Sequence, residues 1–478
     1  MCIRGRGVIQ GLAFSVMLLM GACSPVVPEP TISPATVADT PDFAPLAATI
    51  EAEMAAQQVP GLAVGVLHNG EMIFSQGFGV ADVTTNRPVT PATSFRIGSI
   101  TKPLTAIGLM QLVEAGQVDL DQPVVSYVPE FIVNDQITVR QLLSHSSGLG
   151  DAAIPYGRTD AAALQDYVAS LVPASAFAPP GTLFSYSNPG FNILGRMIET
   201  VSGMPYADYM TTEVFPALGM TQTTFTRDIA IANGLALGYY PGRNAPEAVE
   251  RDPDNGAEYP SGFAFSTVED LARVAKVLLD DGSLDEQQVL QPETVQAMQT
   301  PIIRVEPLEM GYGLGLVIRS QAGETVIGHN GNINGYSASL ELIPSQELAV
   351  IVLANRNNFE TTRITQAAFE LFLGEIEAPP AVAIEVDEAT LASYAGRYVM
   401  SSAFPEEPSE VVTVAVQEGS LTASLPDVTF ELRPVATDLF ALYVPGVAEP
   451  LTQLAFVRDE LGAIQYMSFT MHALIRME

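Results

Sequence analysis

Phe95-Arg96-Ile97-Gly98-Ser99-Ile100-Thr101-Lys102-Pro103-Leu104 is the stretch on which the reading of this chain turns. It holds one of only two lysines among 478 residues, and that lysine, Lys102, follows a serine by three positions. An α-helix turns once in about 3.6 residues, so a serine in its first turn and a lysine three later share a face, with the ammonium within reach of the hydroxyl. Pro103 suits the first turn of such a helix, where its missing N–H costs nothing, and Leu104, Ile107, Leu112 and Val113 supply an apolar stripe before Gly116. Ser99 is then expected at the positive end of a buried helix, which favours negative charge on its oxygen and offers a backbone N–H to an oxyanion. A lysine desolvated there loses pKa and can act as a base near neutral pH. Four residues of common types are a weak signal by themselves, because a serine at a helix start is most often only a cap.

Composition sets the frame around this motif. With 47% hydrophobic residues the chain can bury a large core, and its length suits more than one domain. A formal net charge of −33 opposes binding to nucleic acid or to anionic lipid. The four histidines, His68, His145, His329 and His472, form no His-x-x-x-His pair and accompany no Cys-x-x-Cys, so neither a metal nor another cofactor is expected. The implied partner is a small molecule or a short peptide; the oligomeric state is not legible.

Residues 1–22 read as a secretory signal: Arg4 and Arg6, an apolar run from Val8 through Leu19, then Gly21-Ala22 before Cys23. Leu19-Met20-Gly21-Ala22-Cys23 resembles a bacterial lipoprotein signal, which implies lipidation of Cys23 and membrane attachment through it; Met20 departs from the usual Leu, Val or Ile. Cys2 would leave with the leader, so no disulfide is expected. Residues 23–44 are rich in proline and read as an extended tether. The expected location is the periplasm or cell envelope, and Ser24, with no aspartate after the cysteine, favours the outer membrane.

Residues 45–375 read as one domain of mixed type. Leu62–Leu67 and Met72–Phe74 flank Asn69-Gly70 as a hairpin. Helices are expected at Ala161–Leu171, Phe191–Ser202 and Thr267–Leu279, and strands at Tyr312–Ile318, Thr325–His329, Tyr336–Ile343 and Leu348–Ala354, before a last helix near Thr361–Leu373. Strands at both ends with helices between predict an α+β fold, with an antiparallel sheet flanked by helices and joined to a helical region. After a linker at Glu375–Pro380, residues 381–478 read as a small all-β unit, barrel-like, with strands at Val411–Val416, Thr429–Leu432 and Leu439–Tyr443.

Two further segments keep company with the first. Phe184-Ser185-Tyr186-Ser187-Asn188-Pro189-Gly190 places a tyrosine and an asparagine two apart before a helix, and Gly328-His329-Asn330-Gly331-Asn332 is a glycine-rich strand that allows close approach of a substrate. In this order, Ser99-x-x-Lys102, Tyr186-x-Asn188 and His329-x-Gly331 resemble the three signature motifs of the serine β-lactamase and penicillin-binding-protein family. The resemblance is strongest to its branch of class C β-lactamases, D-Ala-D-Ala carboxypeptidases, D-aminopeptidases and esterases. Leu142-Leu143-Ser144-His145-Ser146-Ser147-Gly148-Leu149 and Gly262-Phe263-Ala264-Phe265-Ser266-Thr267 add to it, and Tyr394-Ala395-Gly396-Arg397-Tyr398 resembles the start of the lipocalin-like appendages of some members.

The resemblance implies a β-lactamase/transpeptidase-like fold and a serine hydrolase that forms an acyl-enzyme on small esters or amides. Ser99 is the implied nucleophile and Lys102 and Tyr186 the implied proton carriers, with Tyr186 as base for the second-step water; which of the two takes the serine proton stays open. Asn188 is expected to orient Lys102 and the substrate, His329 and Gly331 to line the site, and the N–H groups of Ser99 and Asn332 to form an oxyanion hole. His145 is expected to pack or hydrogen-bond rather than react. His329 stands where many members have a lysine, so the positive charge that would hold a substrate carboxylate is missing, and β-lactamase activity is the reading this weakens. The alternative is a non-catalytic cell-envelope binding protein that retains the fold.

Overall fold

The computed structural model describes residues 41–478 apart from 244, 306–307, 377–383, 405, 407–410, 448–449, 460, 470 and 478. The chain divides at Thr40/Pro41, and the compact unit described below is Pro41–Glu478. The leader, Cys23 and most of the tether lie outside the described residues, as does most of the expected linker.

A nine-stranded antiparallel sheet runs in the spatial order Ile303–Val305, Met310–Tyr312, Val317–Gln321, Glu324–Ile333, Tyr336–Ile343, Leu348–Ala354, Gly61–His68, Glu71–Asp82 and Arg87–Pro88. Two inner strands, Leu348–Ala354 and Gly61–His68, are apolar except for the terminal His68 because both faces are covered. Leu62, Val64, Val66, Leu348, Val350 and Val352 face one core, shared with Leu46 and Ile50 of the helix Ala44–Ala56 and with Ile364 and Phe369 of the helix Thr362–Leu373. The alternate residues, among them Ala63, Leu67, Ile351 and Leu353, face a larger core with Leu104 and Ile107 of the helix Thr101–Glu114 and Val274 of the helix Val268–Leu279. The hairpin expected at Asn69-Gly70 is present, with φ of +52° and +73°, the left-handed pair whose twist matches two antiparallel strands.

Two expectations change in detail. The single strand at Tyr312–Ile318 is two strands, broken where Gly313 N–H donates to Leu316 O at 2.9 Å and Gly315 takes φ +83°. The alternating apolar residues there imitate a strand, yet Leu314 and Leu316 turn into the helical core. The helix Thr101–Glu114 is buried from Thr101 through Met110 rather than along one stripe, because the sheet lies on one side and the helices Asn188–Ser202 and Tyr259–Gly262 on the other; Val113 is half-buried.

The C-terminal residues form a closed barrel of eight strands from Gly396–Met400 to His472–Arg476, filled by side chains such as Tyr398, Leu421, Phe440, Phe456 and Met467. It is joined to the first domain by main-chain bonds: Asp151 N–H donates to Ser401 O at 3.2 Å, Ala403 N–H to Asp151 O at 3.0 Å, and Tyr186 N–H to Met471 O at 2.9 Å. Leu183 packs with Tyr466 and Ala473 in the same seam.

Leu353 is fully buried in the sheet's centre. Leu353→Ala is expected to destabilise the domain by about 2–5 kcal/mol, a loss of transfer free energy plus the cavity left behind, read as a lowered urea midpoint.

Candidate active site

Ser99 lies in a short 3-10 turn, Gly98–Ile100, that runs directly into the helix Thr101–Glu114. Gly98 has φ +51°, a conformation that costs glycine nothing, and a Cβ there would sit 2.7 Å from Asn332 N. Gly331 is equally constrained: a Cβ on it would lie 1.9 Å from Ile97 O and 3.2 Å from Ser99 N. The turn that carries Ser99 and the strand Glu324–Ile333 thus touch backbone to backbone, with Gly98 against Asn332 N and Gly331 against Ser99 N. Arg96, 2% exposed, secures the approach to this turn by donating to Phe263 O and Pro253 O, with its guanidinium 4.2 Å from the Phe265 ring centroid.

Lys102 is fully buried. Its Nζ lies 3.2 Å from Ser99 Oγ, 2.6 Å from Asn188 Oδ1 and 2.6 Å from Ser261 O. Burial lowers its pKa to about 7, opposed by attraction to Asp151 and Glu258. A neutral amine has two N–H donors and one lone pair. Asn188 Oδ1 and Ser261 O can only accept, so they take both donors and leave the lone pair for the Ser99 hydroxyl.

Tyr186 is hydrogen-bonded to Ser99, and burial pushes its phenol well above the usual tyrosine range. Lys102 Nζ also stands 4.6 Å from the Tyr186 ring centroid. Asn188 opens the helix Asn188–Ser202 with Ser187 as its cap, the Ser187 hydroxyl accepting from Gly190 N–H. His145, with φ +54°, accepts from Ser187 N–H at 3.0 Å through Nδ1, and its ring lies 4.3 Å from that of Tyr186. It is a buried prop for the tyrosine-bearing segment.

His329 is 4% exposed; its Nδ1 lies 2.6 Å from Asn330 O and its Nε2 3.0 Å from the Tyr312 hydroxyl. A carbonyl only accepts, so Nδ1 carries the hydrogen and Nε2 accepts from Tyr312. Burial, with repulsion from Lys102, lowers the His329 pKa to about 3. It presents no positive charge at neutral pH.

Ser99, Tyr186, Asn188, His329, Gly331 and Asn332 all border one cavity of about 780 Å³, and Lys102 lies beneath it. Sequence reasoning did not single out Asp151, Ser261, Tyr312, Met471 or His472. Asp151, Met471 and His472 border the same cavity. Asp151 Oδ1 accepts from Asn188 N–H at 2.7 Å and Oδ2 lies 3.0 Å from His472 Nε2. No local pattern joins positions 321 apart in the chain. Among the described residues no group of His, Cys, Asp and Glu is placed to hold a metal ion.

The Beta-lactamase family model matches residues 46–374. The chain belongs to the β-lactamase family. Within it, the chain is 30% identical over 353 residues to penicillin-binding protein 4 of Amycolatopsis lactamdurans, covering 70% of this chain and 92% of that protein. It is 27% identical over 316 residues to protein flp of Staphylococcus aureus (strain MRSA252), covering 65% of this chain but only 62% of flp. Among solved structures, SurE matches with a TM-score of 0.73 at 27% identity, over 90% of this chain and 98% of SurE. A structure of SurE with D-Leu matches at 0.69 and 26% identity, over 90% of this chain and 98% of that one. The β-lactamase-family domain and the barrel that follows it are therefore similar to SurE along most of their length.

Because burial favours its neutral form, His329 is expected not to titrate between pH 5 and 8. Two-dimensional NMR of its ring nitrogens checks this, and a midpoint inside that interval would contradict the buried tautomer.

Proposed function

We propose that this protein is a serine hydrolase that forms a covalent acyl-enzyme on small ester or amide substrates. The observation that carries the reading is the Ser99 hydroxyl beside a buried amine whose two N–H donors are already engaged. Ser99 Oγ attacks the substrate carbonyl carbon while its proton passes to Lys102 Nζ, and the tetrahedral oxyanion forms beside Ser99 N–H and Asn332 N–H. Of the two proton carriers, Lys102 suits the base because its pKa of about 7 lies near the working pH, whereas burial keeps the Tyr186 phenol protonated, so that it holds a proton to pass on. Tyr186 gives its proton to the leaving group and regains one from the Lys102 ammonium. Deacylation then runs the same transfers in reverse, with water in place of the leaving group and Tyr186 taking its proton.

The substrate class is an ester or an amide, in the manner of esterases, D-aminopeptidases or D-Ala-D-Ala carboxypeptidases. The neutral His329 argues against a site built around a substrate carboxylate. That SurE was solved with D-Leu makes D-amino-acid derivatives the first substrates to try.

A fluorophosphonate probe is expected to label the wild type and not Ser99→Ala, and p-nitrophenyl esters to give a burst that Ser99→Ala abolishes, with kcat falling at least about a thousandfold. Equal labelling of both proteins would sink the assignment and favour a binding protein.

The pH dependence follows from the sign of the Lys102 shift. The base acts when deprotonated, so kcat/KM is expected to climb with pH through a midpoint near 7, well below the range of an ordinary lysine. A limb that appears only near pH 10 would remove Lys102 from the role.

A further inference from the structure

The charged side chains that border the cavity are Asp151, Arg319, Glu341 and Glu360. Arg319 and Glu341 are paired at 2.7 Å, so the cation is already answered. Glu360 lies near the start of the helix Thr362–Leu373, where its carboxylate accepts from Thr362 N–H at 3.0 Å. Asp151 is the one of these linked to the reacting groups, one hydrogen bond from Asn188 and two from Lys102. His329 and His145 are both held neutral by burial.

Both domains hold Asp151 in place. Its main chain bonds Ser401 and Ala403 of the barrel, its Oδ1 accepts from Asn188 N–H, and its Oδ2 is met by His472 Nε2 at 3.0 Å and by Asn188 Nδ2 at 3.5 Å. The side chain is 18% exposed and that of His472 20% exposed. A carboxylate offers about four acceptor positions, so these contacts orient it without exhausting it. It already acts on a cation here: Asp151 is the foremost attraction opposing the desolvation of Lys102.

We propose that Asp151, braced from the barrel by His472, is the subsite for a protonated amino group on the substrate, so that the enzyme prefers amino-acyl esters and amides with a free amine. An ammonium there meets a preorganised carboxylate at the wall of the cleft, whereas a substrate carboxylate meets a like charge. The barrel is then a working wall of the site, since the turn at Met471-His472 supplies both the brace and part of the lining. This deepens the acyl-enzyme reading and rests on it.

The test uses the full-length protein and two readouts. In the first, kcat/KM is measured for the methyl esters of D-alanine and N-acetyl-D-alanine. The wild type is expected to prefer the free amine at least tenfold, with the ratio falling at least tenfold in Asp151→Asn and recovering in part in Asp151→Glu. In the second, D-alaninamide and N-acetyl-D-alaninamide are titrated calorimetrically into Ser99→Ala, where the amine is expected to bind at least tenfold more tightly whether or not catalysis occurs. Equal or reversed preference in both readouts overturns the subsite. So does a wild-type preference that Asp151→Asn leaves unchanged. Loss of p-nitrophenyl ester turnover with the binding preference intact would instead count against the acyl-enzyme reading alone.

Discussion

A fully buried amine whose nitrogen reaches the serine one turn before it and oxygens from two distant stretches of chain is the constraint around which this structure is arranged. Lys102 can be kept out of water at a tolerable cost only because Asn188 and Ser261 accept its hydrogens and because its pKa falls toward neutrality. Each partner makes a demand in turn. Asn188 must begin a helix at a defined point, which the Ser187 cap and Pro189 secure, and Ser261 must offer its carbonyl from the helix Tyr259–Gly262, whose Tyr259 and Pro260 pack on the central helices. The same requirement explains why the helix that carries Lys102 is enclosed nearly all round instead of lying on a surface.

The second constraint is steric. Ser99 reaches the sheet only because two glycines, Gly98 and Gly331, let backbone pass against backbone. Any side chain on Gly331 would collide with Ile97 O, so the turn that carries Ser99 and the strand bearing His329 would separate. The strand that makes this contact, Glu324–Ile333, pairs with Tyr336–Ile343, which in turn pairs with Leu348–Ala354, a strand clamped between two cores, so the platform behind the contact is stiff.

Much of this was legible along the chain because it depends on local periodicity. The hairpin at Asn69-Gly70 follows from turn chemistry, the strand Tyr336–Ile343 from its alternation of apolar and polar residues, the strand Leu348–Ala354 from an unbroken apolar run, and the helix at Ser99–Lys102 from spacing. Where the reading failed, a local pattern had two physical meanings. Tyr312, Leu314, Leu316 and Ile318 alternate as a strand does, but Gly313 and Gly315 bend the chain so that two of them fill a helical core. The role of the C-terminal barrel was illegible for a related reason: its strands predict a barrel, and nothing in them says which loop faces a cleft.

Sequence by itself determined the fold class, the family and the motif residues Lys102, Tyr186 and Asn188 that gather near Ser99, since motif order and hydrophobic period survive in one dimension. Tertiary structure alone decided their protonation and their company. Desolvation of Lys102 and His329 comes from elements the fold packs around them, and Asp151 meets His472 across 321 positions, because burial and charge act through space and leave no trace in spacing along the chain.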